Sequence, residues 1–551
     1  MAINFPTSQT TNDIYTESDR SWKFNGTSWD GLPIPSGSGI ITYTPAGTGA
    51  VDTVVETKLR ESVSVKDFGA VGDGVADDTT KIQAAIDAVS SAGGGALYFP
   101  AGTYRVKDLQ AKDKVECIGV FGATTLKLRD SVDGQIFYNP DQSSSTTVDF
   151  FSLNGIICDG NKSLAAGVSA GSVVSINGVT YFSARDCIFQ NGLGYGMGFQ
   201  SYAGESSGKI GDQSEIYLEN CHFLSNGDGV GGDTFDGLDV KHCDKITLIG
   251  CTANSNQDKG FDVRGLNVFI QGCYASNNAG TGFELIGNQN TAGLNTTANV
   301  TNCEANGNGG GGFVAGDGAG SPTNVTRVNF SNIISRANQY GVHCPTFSTN
   351  TEMSVSNANI FSSTDHGITL GAVMRSCIIH SSTIRSNTGS GIYNLGTDVL
   401  ISNCQLNTNT RYGYEEGGSA QYNTLAGATR IKGNTLGVVL LTSNKRTNIE
   451  SGVRSYNIGS GDILASAATL DIPLGGSFFV VTGTTNIDTI TPTFRGHSIK
   501  LQFSSTGSTL TDSTTGAANL ALATDFVASS ADVLSLVCDG ANWYEVSRSN
   551  N

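Results

Sequence analysis

Three stretches of this chain repeat one pattern: Gly237-Leu238-Asp239-Val240-Lys241, Gly260-Phe261-Asp262-Val263-Arg264 and Gly282-Phe283-Glu284-Leu285-Ile286. The pair of glycine and apolar residue returns further on, with steps of 22 to 30 residues between successive pairs, at Gly312, Gly341, Gly367, Gly391 and Gly413. A period of this length is typical of stacked supersecondary units, none of which buries its apolar face alone. The repeat therefore decides the fold, and it aligns the residues of neighbouring units.

Within each unit, short β-prone runs alternate between apolar and polar residues. Phe261 and Val263 fall on one face of such a run, and Asp262 and Arg264 fall on the other. The fixed leucine spacing of leucine-rich repeats is absent, and propeller blades are longer, at about 40 residues. We predict an all-β parallel solenoid whose coils differ in loop length.

The composition agrees with an all-β fold rich in turns. Glycine accounts for 71 of 551 residues, 15% of the residues are charged and 38% are hydrophobic, which argues against disorder. The net charge of −17 argues against nucleic acid as a partner, because phosphate binding needs a basic face. No membrane insertion is predicted, since no apolar run reaches about 18 residues, and the first residues lack the features of a secretion signal.

Five of the 12 cysteines share one repeat position, nine residues before the glycine of their unit, namely Cys187, Cys251, Cys273, Cys303 and Cys404. Recurrence at one position predicts a buried ladder, because free cysteine packs as a small hydrophobe. The missing secretion signal favours reduced thiols over disulfides.

We divide the chain into four parts, an N-terminal module, a linker or neck, the solenoid and a C-terminal β-sandwich, at residues 1–32, 33–60, 61–456 and 457–551. One amphipathic helix is predicted from Asp78 to about Ser91. A helix ahead of a solenoid is expected to cap the open first coil.

Two motifs flank this helix, Val63-Ser64-Val65-Lys66-Asp67-Phe68-Gly69-Ala70-Val71-Gly72-Asp73-Gly74 and Gly93-Gly94-Gly95-Ala96-Leu97-Tyr98-Phe99-Pro100-Ala101-Gly102-Thr103-Tyr104. They resemble the opening of pectate-lyase-like right-handed β-helix proteins. The lead-in Val54-Val55-Glu56-Thr57-Lys58-Leu59-Arg60-Glu61 resembles the version found in bacteriophage tailspikes. Residues 1–32 are similar to short N-terminal pieces of phage tail proteins.

The resemblance implies a phage tailspike built on a right-handed parallel β-helix. Such a protein would be a homotrimer in the virion, attached through its N-terminus to the phage tail or baseplate and assembled in the cytoplasm of the bacterial host. Its partner would be a capsular or O-antigen polysaccharide, which it binds and depolymerises. The C-terminal part resembles tailspike domains for trimerisation or receptor contact.

When the units are aligned on their glycines, the third position carries Asp239, Asp262 and Glu284 in three successive coils. Like positions of neighbouring strands lie about 4.8 Å apart, so these carboxylates would stack and repel. A glycosidase uses such a set, with one carboxyl as acid and another as base or nucleophile. We therefore predict these three residues as catalytic.

The spacing leaves two stereochemical outcomes open. Adjacent strands give roughly the 5–5.5 Å of a retaining pair of carboxyls. Asp239 and Glu284, two strands apart, come nearer the roughly 6.5–9.5 Å of an inverting pair. Asp262 between them would raise the pKa of the acid.

Further residues near the aligned positions are predicted to bind the substrate. Lys241 and Arg264 occupy the fifth position on the same outward face. The other candidates are acids close to the glycines and aromatic residues that stack on sugar rings, namely Asp233, Asp236, Asp258, Tyr274 and Tyr393. Hydrolysis by carboxyl groups requires no cofactor, and none is predicted.

Two alternatives remain open. A polysaccharide lyase on the same scaffold would, as pectate-lyase relatives imply, hold Ca²⁺ on the stacked acids and use Arg264 or Lys241 as a cationic base. A receptor-binding spike without catalysis is the second alternative. Zinc is disfavoured at Cys221-His222 and His242-Cys243, because adjacent strand residues point to opposite faces.

Overall fold

The strands pair in register from one coil to the next and form a right-handed parallel β-helix, as predicted. This computed structural model describes residues 5–17, 20–32, 41–130, 134–139, 148–163, 172–199, 213–227, 235–286, 296–316, 325–344, 352–440, 447–450, 453–455, 462–472, 478–493, 495–516 and 518–549. A sheet of 26 strands and a sheet of 15 strands run along the solenoid.

The 26-stranded sheet contains two rows of strands, because Leu238–Ile249 and Phe261–Gln271 each bend from one row into the other. The first row, here called the front strands, includes the strands at the Gly-apolar pairs from Gly237 to Gly413. Its members are Leu109–Gln110, Phe137–Tyr138, Val174–Ser175, Met197–Phe199, the first parts of Leu238–Ile249 and Phe261–Gln271, Phe283–Ile286, Phe313–Ala315, Val342–Cys344, Ile368–Leu370, Ile392–Asn394, Tyr412–Glu416 and Gly437–Leu440.

The second row, here called the side strands, follows the front strands in each coil. Its members are Val63–Ser64, Gly95–Phe99, Val115–Gly119, Val148–Asn154, Val179–Arg185, Gln213–Glu219, the second parts of Leu238–Ile249 and Phe261–Gln271, Thr296–Thr301, Val325–Ser331, Glu352–Ser356, Ile378–His380, Leu400–Ser402, Thr424–Ala426 and Asn448–Ile449.

The 15-stranded sheet, here called the back sheet, closes each coil. Its members are Asp73–Asp77, Gly102–Val106, Thr124–Leu128, Ile157–Asp159, Ile188–Gln190, His222–Leu224, Thr252–Asn254, Tyr274–Ser276, Glu304–Asn306, Ile334–Arg336, Asn359–Phe361, Thr383–Arg385, Gln405–Asn407, Arg430–Lys432 and Arg454–Ser455. Three strands per coil enclose one apolar interior.

The core of the solenoid is one continuous cluster that runs from Val65 to Val439. Aromatic residues after the glycines stack within it, with ring centroids of Phe283 and Phe313 4.9 Å apart. All 12 cysteines are free and buried, which confirms the prediction of packed thiols. Each coil thus buries its apolar face against the coils on either side.

The predicted helix is present at Thr79–Ser91 and buries one face on the first coils. A short helix at Val55–Leu59 and a 3₁₀ helix at Val65–Phe68 precede it. None of the helices in the described ranges is long and apolar enough to cross a membrane. At the N-terminus, strands Ile14–Glu17, Arg20–Phe24 and Trp29–Gly31 form an antiparallel sheet, and Thr42–Tyr43 pairs with Thr53–Val54.

The C-terminal part, predicted as a β-sandwich, has its own core around Trp543. Its main sheet is mixed, since the pairs among Asp462–Ala465, Phe478–Thr482 and Ser498–Phe503 are parallel and those of Val533–Cys538 are antiparallel. Further strands are Trp543–Ser549, Leu520–Ala521, Thr469–Leu470, Thr489–Ile490, Thr509–Leu510 and Phe526–Val527. Alternating sequence patterns cannot distinguish parallel from antiparallel pairing here, because both present one buried face.

Candidate active site

The register of the front strands stacks the three predicted carboxylates. Asp239 pairs with Asp262, and Asp262 pairs with Glu284. The same column continues through Val314, His343, Thr369, Tyr393 and Glu415. The alignment made on the glycines is therefore confirmed along the whole column.

The turn before each front strand explains why the sequence places the carboxylates so regularly. A Cβ on Gly260 would lie 2.7 Å from the Gly282 carbonyl oxygen and 2.9 Å from Asn278 Nδ2, so only glycine fits. Asn278 belongs to a buried asparagine ladder, in which its Nδ2 donates to Asn308 Oδ1 at 2.9 Å and its Oδ1 accepts from Asn256 Nδ2 at 2.9 Å. Each strand thus begins at a defined height, and its third residue falls on the column.

The stacked carboxylates point outward yet are buried. Asp239 is 1% exposed, Asp262 is 2% exposed and Glu284 is 8% exposed. The sequence predicted one outward face for these residues but not their burial, because strand alternation alone does not show what covers a face. The burial has an electrostatic consequence, since charged groups out of water need partners.

Three cationic side chains supply those partners. Lys259 Nζ lies 2.9 Å from Asp262 Oδ2 and 2.5 Å from Glu284 Oε2. Lys241 Nζ lies 3.4 Å from Asp239 Oδ2, and Arg264 lies 3.3 Å from Asp262 Oδ2. Repulsion within the stack is therefore offset by cations that touch each carboxylate.

Two of the predicted additional acids also lie at the cluster. Asp236 is buried, its Oδ1 accepts from the Lys259 backbone N–H at 2.9 Å, and it offers a carboxylate oxygen within 4.8 Å of those of Asp239 and Asp262. Burial raises the pKa of Asp236, and the half-buried Asp258 is close enough to add to that shift. Asp233 lies outside the described residues.

The pKa values of the stacked carboxyls are split. Burial raises the pKa of Asp239 to about 6 and that of Glu284 to about 7, and the charge of Asp262 adds to both shifts. Burial also acts to raise the pKa of Asp262, but Lys259 and Arg264 outweigh it and hold that pKa below its usual value. Asp262 is thus an ionised carboxylate between two groups that titrate near neutrality.

Lys259 and Arg264 are fixed in their charged form. Burial disfavours charge on Lys259 and Arg264, but the neighbouring carboxylates outweigh it and raise both pKa values. Neither side chain releases its proton near neutrality, so neither supplies a base there. The titrating groups of the cluster are carboxyls, a set suited to proton transfer.

The carboxylate oxygens of Asp236, Asp239 and Asp262 are also the hard ligands that Ca²⁺ prefers. The fit to such an ion is poor, because Lys259 and Arg264 already occupy Asp262 and Ca²⁺ takes about six to eight oxygen ligands. Three cationic side chains therefore already pair with the carboxylates of the described cluster.

The structure separates some of the predicted substrate-binding residues from the cluster. Tyr274 begins the strand Tyr274–Ser276 of the back sheet and so lies on another face of the coil, because it follows the turn after the side strand. Tyr393 does lie in the column, four strands beyond Glu284, and stacks on His366 with ring centroids 4.8 Å apart. Lys241 and Arg264 adjoin the carboxylates without being register partners, since pairing is interrupted between Val240 and Cys243.

Lys259 was missed at the level of sequence. It stands directly before Gly260, the repeat position that Asp236 occupies before Gly237, so the alignment contained the signal. A second omission is the pair Tyr340 and His343, whose rings stack at 4.2 Å two strands beyond Glu284. Burial lowers the pKa of His343 to about 4, so this imidazole is neutral at neutral pH.

Residues 62–311 match the family model described as rhamnogalacturonase A/epimerase, pectate lyase-like. The matched region includes the capping helix and all three stacked carboxylates. The resemblance predicted from the opening motifs is confirmed for this part of the chain.

Two curated proteins of Azotobacter vinelandii are similar over shorter stretches. Mannuronan C5-epimerase AlgE2 is 41% identical over 113 residues, which are 19% of this chain and 11% of that protein. Alginate lyase 7 is 39% identical over 108 residues, which are 18% of this chain and 13% of that protein. The chain therefore spans only a small share of the length of these relatives.

Among solved structures, the N-terminal fragment of bacteriophage Phi29 gene product 12 superposes with a TM-score of 0.53 at 19% identity. The superposition covers 78% of this chain and 79% of that fragment. At this identity the likeness concerns the fold.

Proposed function

We propose that this protein is a phage tailspike that binds a bacterial surface polysaccharide, capsule or O-antigen, and cleaves it by glycosidic hydrolysis. The observation that carries the proposal is the ionised Asp262 between two carboxyls whose pKa values are raised toward neutrality. Environments that push carboxyl pKa values apart assign acid and base roles in glycosidases. The match of residues 62–311 to a pectate-lyase-like family supports polysaccharide chemistry on this scaffold.

Glu284 is the proposed general acid. Its pKa of about 7 keeps a proton on the carboxyl near neutral pH, and its side chain is the most exposed of the three. It would protonate the glycosidic oxygen as the bond from that oxygen to the anomeric carbon breaks.

Asp239 is the proposed general base. Its pKa of about 6 means that it is mainly ionised at pH 7. Its side chain belongs to a residue that is only 1% exposed, so the molecule from which it takes a proton must be small, as water is. Asp239 and Glu284 are two strand spacings apart, with the strand of Asp262 between them. This separates them by about 9.6 Å, just above the upper end of the roughly 6.5–9.5 Å inverting range. Asp239 would take a proton from water while the water oxygen bonds to the anomeric carbon with inversion.

Lys241 and Arg264 are the proposed substrate-binding cations, since both adjoin the carboxylates and retain some exposure. Asp262 would influence proton transfer indirectly, because its negative charge adds to the raised pKa values of Asp239 and Glu284. Tyr393 and the pair Tyr340 and His343 continue the same column and offer ring faces to more distant sugars.

A test is incubation of the purified protein with capsular and O-antigen polysaccharides from a panel of bacterial strains. Hydrolysis produces new reducing ends without an unsaturated sugar, and we expect this result for one strain or more. Binding without any shortening of the chains would contradict the enzymatic part of the proposal. Shortening with ultraviolet-absorbing unsaturated ends would contradict hydrolysis and identify a lyase.

The lyase remains the second candidate, because specific observations favour it. Three cations lie against the acids, an arrangement that would neutralise a uronate carboxylate, and segments of the chain are similar to an alginate lyase and an epimerase. A calcium-dependent lyase would require Lys259 and Arg264 to leave Asp262 before Asp236, Asp239 and Asp262 could hold the ion. The rate of polysaccharide cleavage with added Ca²⁺ or with a chelator distinguishes the hydrolase from a calcium-dependent lyase. Hydrolysis by carboxyl groups alone should proceed at the same rate in either case.

The tailspike proposal also includes assembly. It entails a homotrimer in the virion, with the N-terminal sheet facing the phage tail or baseplate and assembly in the host cytoplasm. The opening motifs and the fold shared with a bacteriophage protein support it. Sedimentation of the full chain tests it, because a trimer has three times the chain mass of 57.2 kDa.

A further inference from the structure

A cleft of about 430 Å³ opens on the side strands, away from the front strands that carry the acids. It spans the neighbouring strands Val148–Asn154 and Val179–Arg185. Its volume is within the roughly 300–1,000 Å³ of small-molecule sites. The cleft lies among residues that the proposed hydrolysis does not use.

The floor of this cleft consists of two serines between larger neighbours. One column of the side strands runs through Glu116, Ser152, Ser183 and Tyr217, so the serines form a trough that Glu116 and Tyr217 close at either end. We call it the serine cleft. Two small residues at adjacent positions leave space that larger side chains on a solenoid face would fill.

Ser152 marks the floor as a place for a ligand. The residue is 4% exposed, and within the described part of the chain its Oγ has no hydrogen-bond partner. Buried hydroxyls are rarely left without a partner, because a buried polar group that makes no hydrogen bond loses the favourable interaction it would have with water. A group that enters the cleft and hydrogen-bonds to this oxygen would restore that interaction.

The walls are of opposite character. Phe150 and Tyr181 stack with ring centroids 5.1 Å apart and planes 3° apart, and they form an aromatic wall. Asn154 and Arg185 form the facing polar wall. Arg185 is held over the Tyr217 ring at 5.2 Å and lies 3.5 Å from Glu219 Oε2, so its guanidinium has a defined position.

These groups match a sugar ring better than other small ligands. The serine hydroxyls and the Asn154 amide can both donate and accept hydrogen bonds. The Glu116 carboxylate adds an acceptor and the Arg185 guanidinium adds donors. The hydroxyl groups of a sugar need partners of both kinds. An aromatic wall packs against the apolar face of such a ring. A nucleotide or another polyanion would need more than one cation.

We propose that the serine cleft is a second carbohydrate-binding site, which takes one hexopyranose unit between the aromatic wall and Arg185. This site is separate from the stacked carboxylates and does not depend on hydrolysis there. In a spike that binds a polysaccharide, this site would hold the polysaccharide on a second face of the solenoid. It would thereby raise the effective concentration of the polysaccharide at the stacked carboxylates.

The test is saturation-transfer NMR on the full chain with free hexoses, N-acetylhexosamines and hexuronic acids, at about 10 mM because single sugars bind with millimolar affinity. We expect transfer to at least one sugar. Ser183→Trp fills the cleft and should reduce the signal about tenfold or more. Ser354→Trp, on another side strand of the same sheet, is the matched control and should leave it unchanged.

Arg185→Ala, at an exposed position, provides a second variant in case the tryptophan perturbs folding. It should weaken transfer several-fold, while Asp262→Asn should leave it intact. Absence of transfer to every sugar, or equal transfer to Ser183→Trp and the parent protein, would overturn the proposal. So would a change in sedimentation caused by Ser183→Trp alone, since the face would then be a contact between copies of this chain.

Discussion

At the scale of single residues, Asp262 differs from the carboxyls on either side although all three share one repeat position. Lys259 and Arg264 both contact Asp262, whereas Asp239 is contacted by Lys241. The difference in partners sets the difference in pKa, because burial alone would raise all three. Chemical roles in this stack are therefore assigned by neighbours and not by residue type.

Asp262→Asn removes the central charge and should lower activity on the polysaccharide by about 100-fold or more, because both flanking pKa values fall toward their ordinary range. The rate of reducing-end release measures it. Asp244→Asn, an exposed change on the neighbouring strand Leu238–Ile249, serves as the control. Full activity of Asp262→Asn with unchanged pH dependence would remove the cluster as the site.

The pH dependence of kcat/KM should be bell-shaped, with its maximum between about 6 and 7. Asp239, with a pKa of about 6, must lose its proton to act as a base, so activity rises through that value. Glu284, with a pKa of about 7, must keep its proton to act as an acid, so activity falls above that value. Activity that climbs steadily above pH 8 would contradict this assignment.

Glu284→Gln should change how stability depends on pH. The unfolded glutamate has a pKa near 4.3, below that of about 7 in the fold, so between these values the native state binds more protons and stability falls as pH rises. The variant lacks this loss of stability, which is on the order of 4 kcal/mol at most. Its melting temperature relative to the parent should therefore increase from pH 5 to pH 8.

The half-buried Glu304 on the back sheet offers the matched control. Glu304→Gln should give a difference in melting temperature that stays nearly constant over this pH range. A Glu284→Gln difference that decreases toward pH 8 would show that the ion pair with Lys259 dominates over burial.

At the scale of elements, the turn between the back sheet and the front strands determines where the site lies. The buried asparagine ladder connects coil to coil. Asn278 is one example, since its side chain makes hydrogen bonds to Ala253, Asn308 and Asn256. The sequence shows an asparagine four residues before the glycine of several units, for example at Asn256, Asn278 and Asn308, but it does not show their mutual hydrogen bonds. Contacts between coils depend on the stacking, which a single unit does not contain.

Asn278→Ala should lower the free energy of unfolding by about 2–4 kcal/mol, because it leaves several buried polar groups without partners. Denaturant unfolding followed by circular dichroism provides the measurement. Asn267→Ala, at an exposed side-strand position, should cost less than about 0.5 kcal/mol. Equal effects of the two substitutions would mean that the ladder contributes little.

At the scale of the whole molecule, the solenoid has one continuous interior, and its cysteines are part of it. Burial raises the pKa of the Cys117 thiol and that of Cys344 above their usual range, which suppresses the reactive thiolate. The C-terminal part has a separate core and need not unfold with the solenoid.

An aromatic disulfide reagent should therefore titrate almost no thiols in the native protein and all 12 after denaturation. The absorbance of the released thiolate counts them. A lower count in the denatured, unreduced protein would reveal disulfides and contradict the packed ladder. Fast reaction of a subset in the native state would instead locate a coil that opens readily.

The amino-acid sequence by itself determined the coil, its parallel stacking and the column of Asp239, Asp262 and Glu284. The reason is that equivalent positions of successive repeats lie next to each other in a stack of coils. Only the tertiary structure decided that these acids are buried, that Lys259 bridges two of them and that Tyr274 lies on another face. Burial and charge pairing arise between coils and between strands of one coil, so no single unit encodes them. The serine cleft belongs to the same class, since its walls come from neighbouring coils.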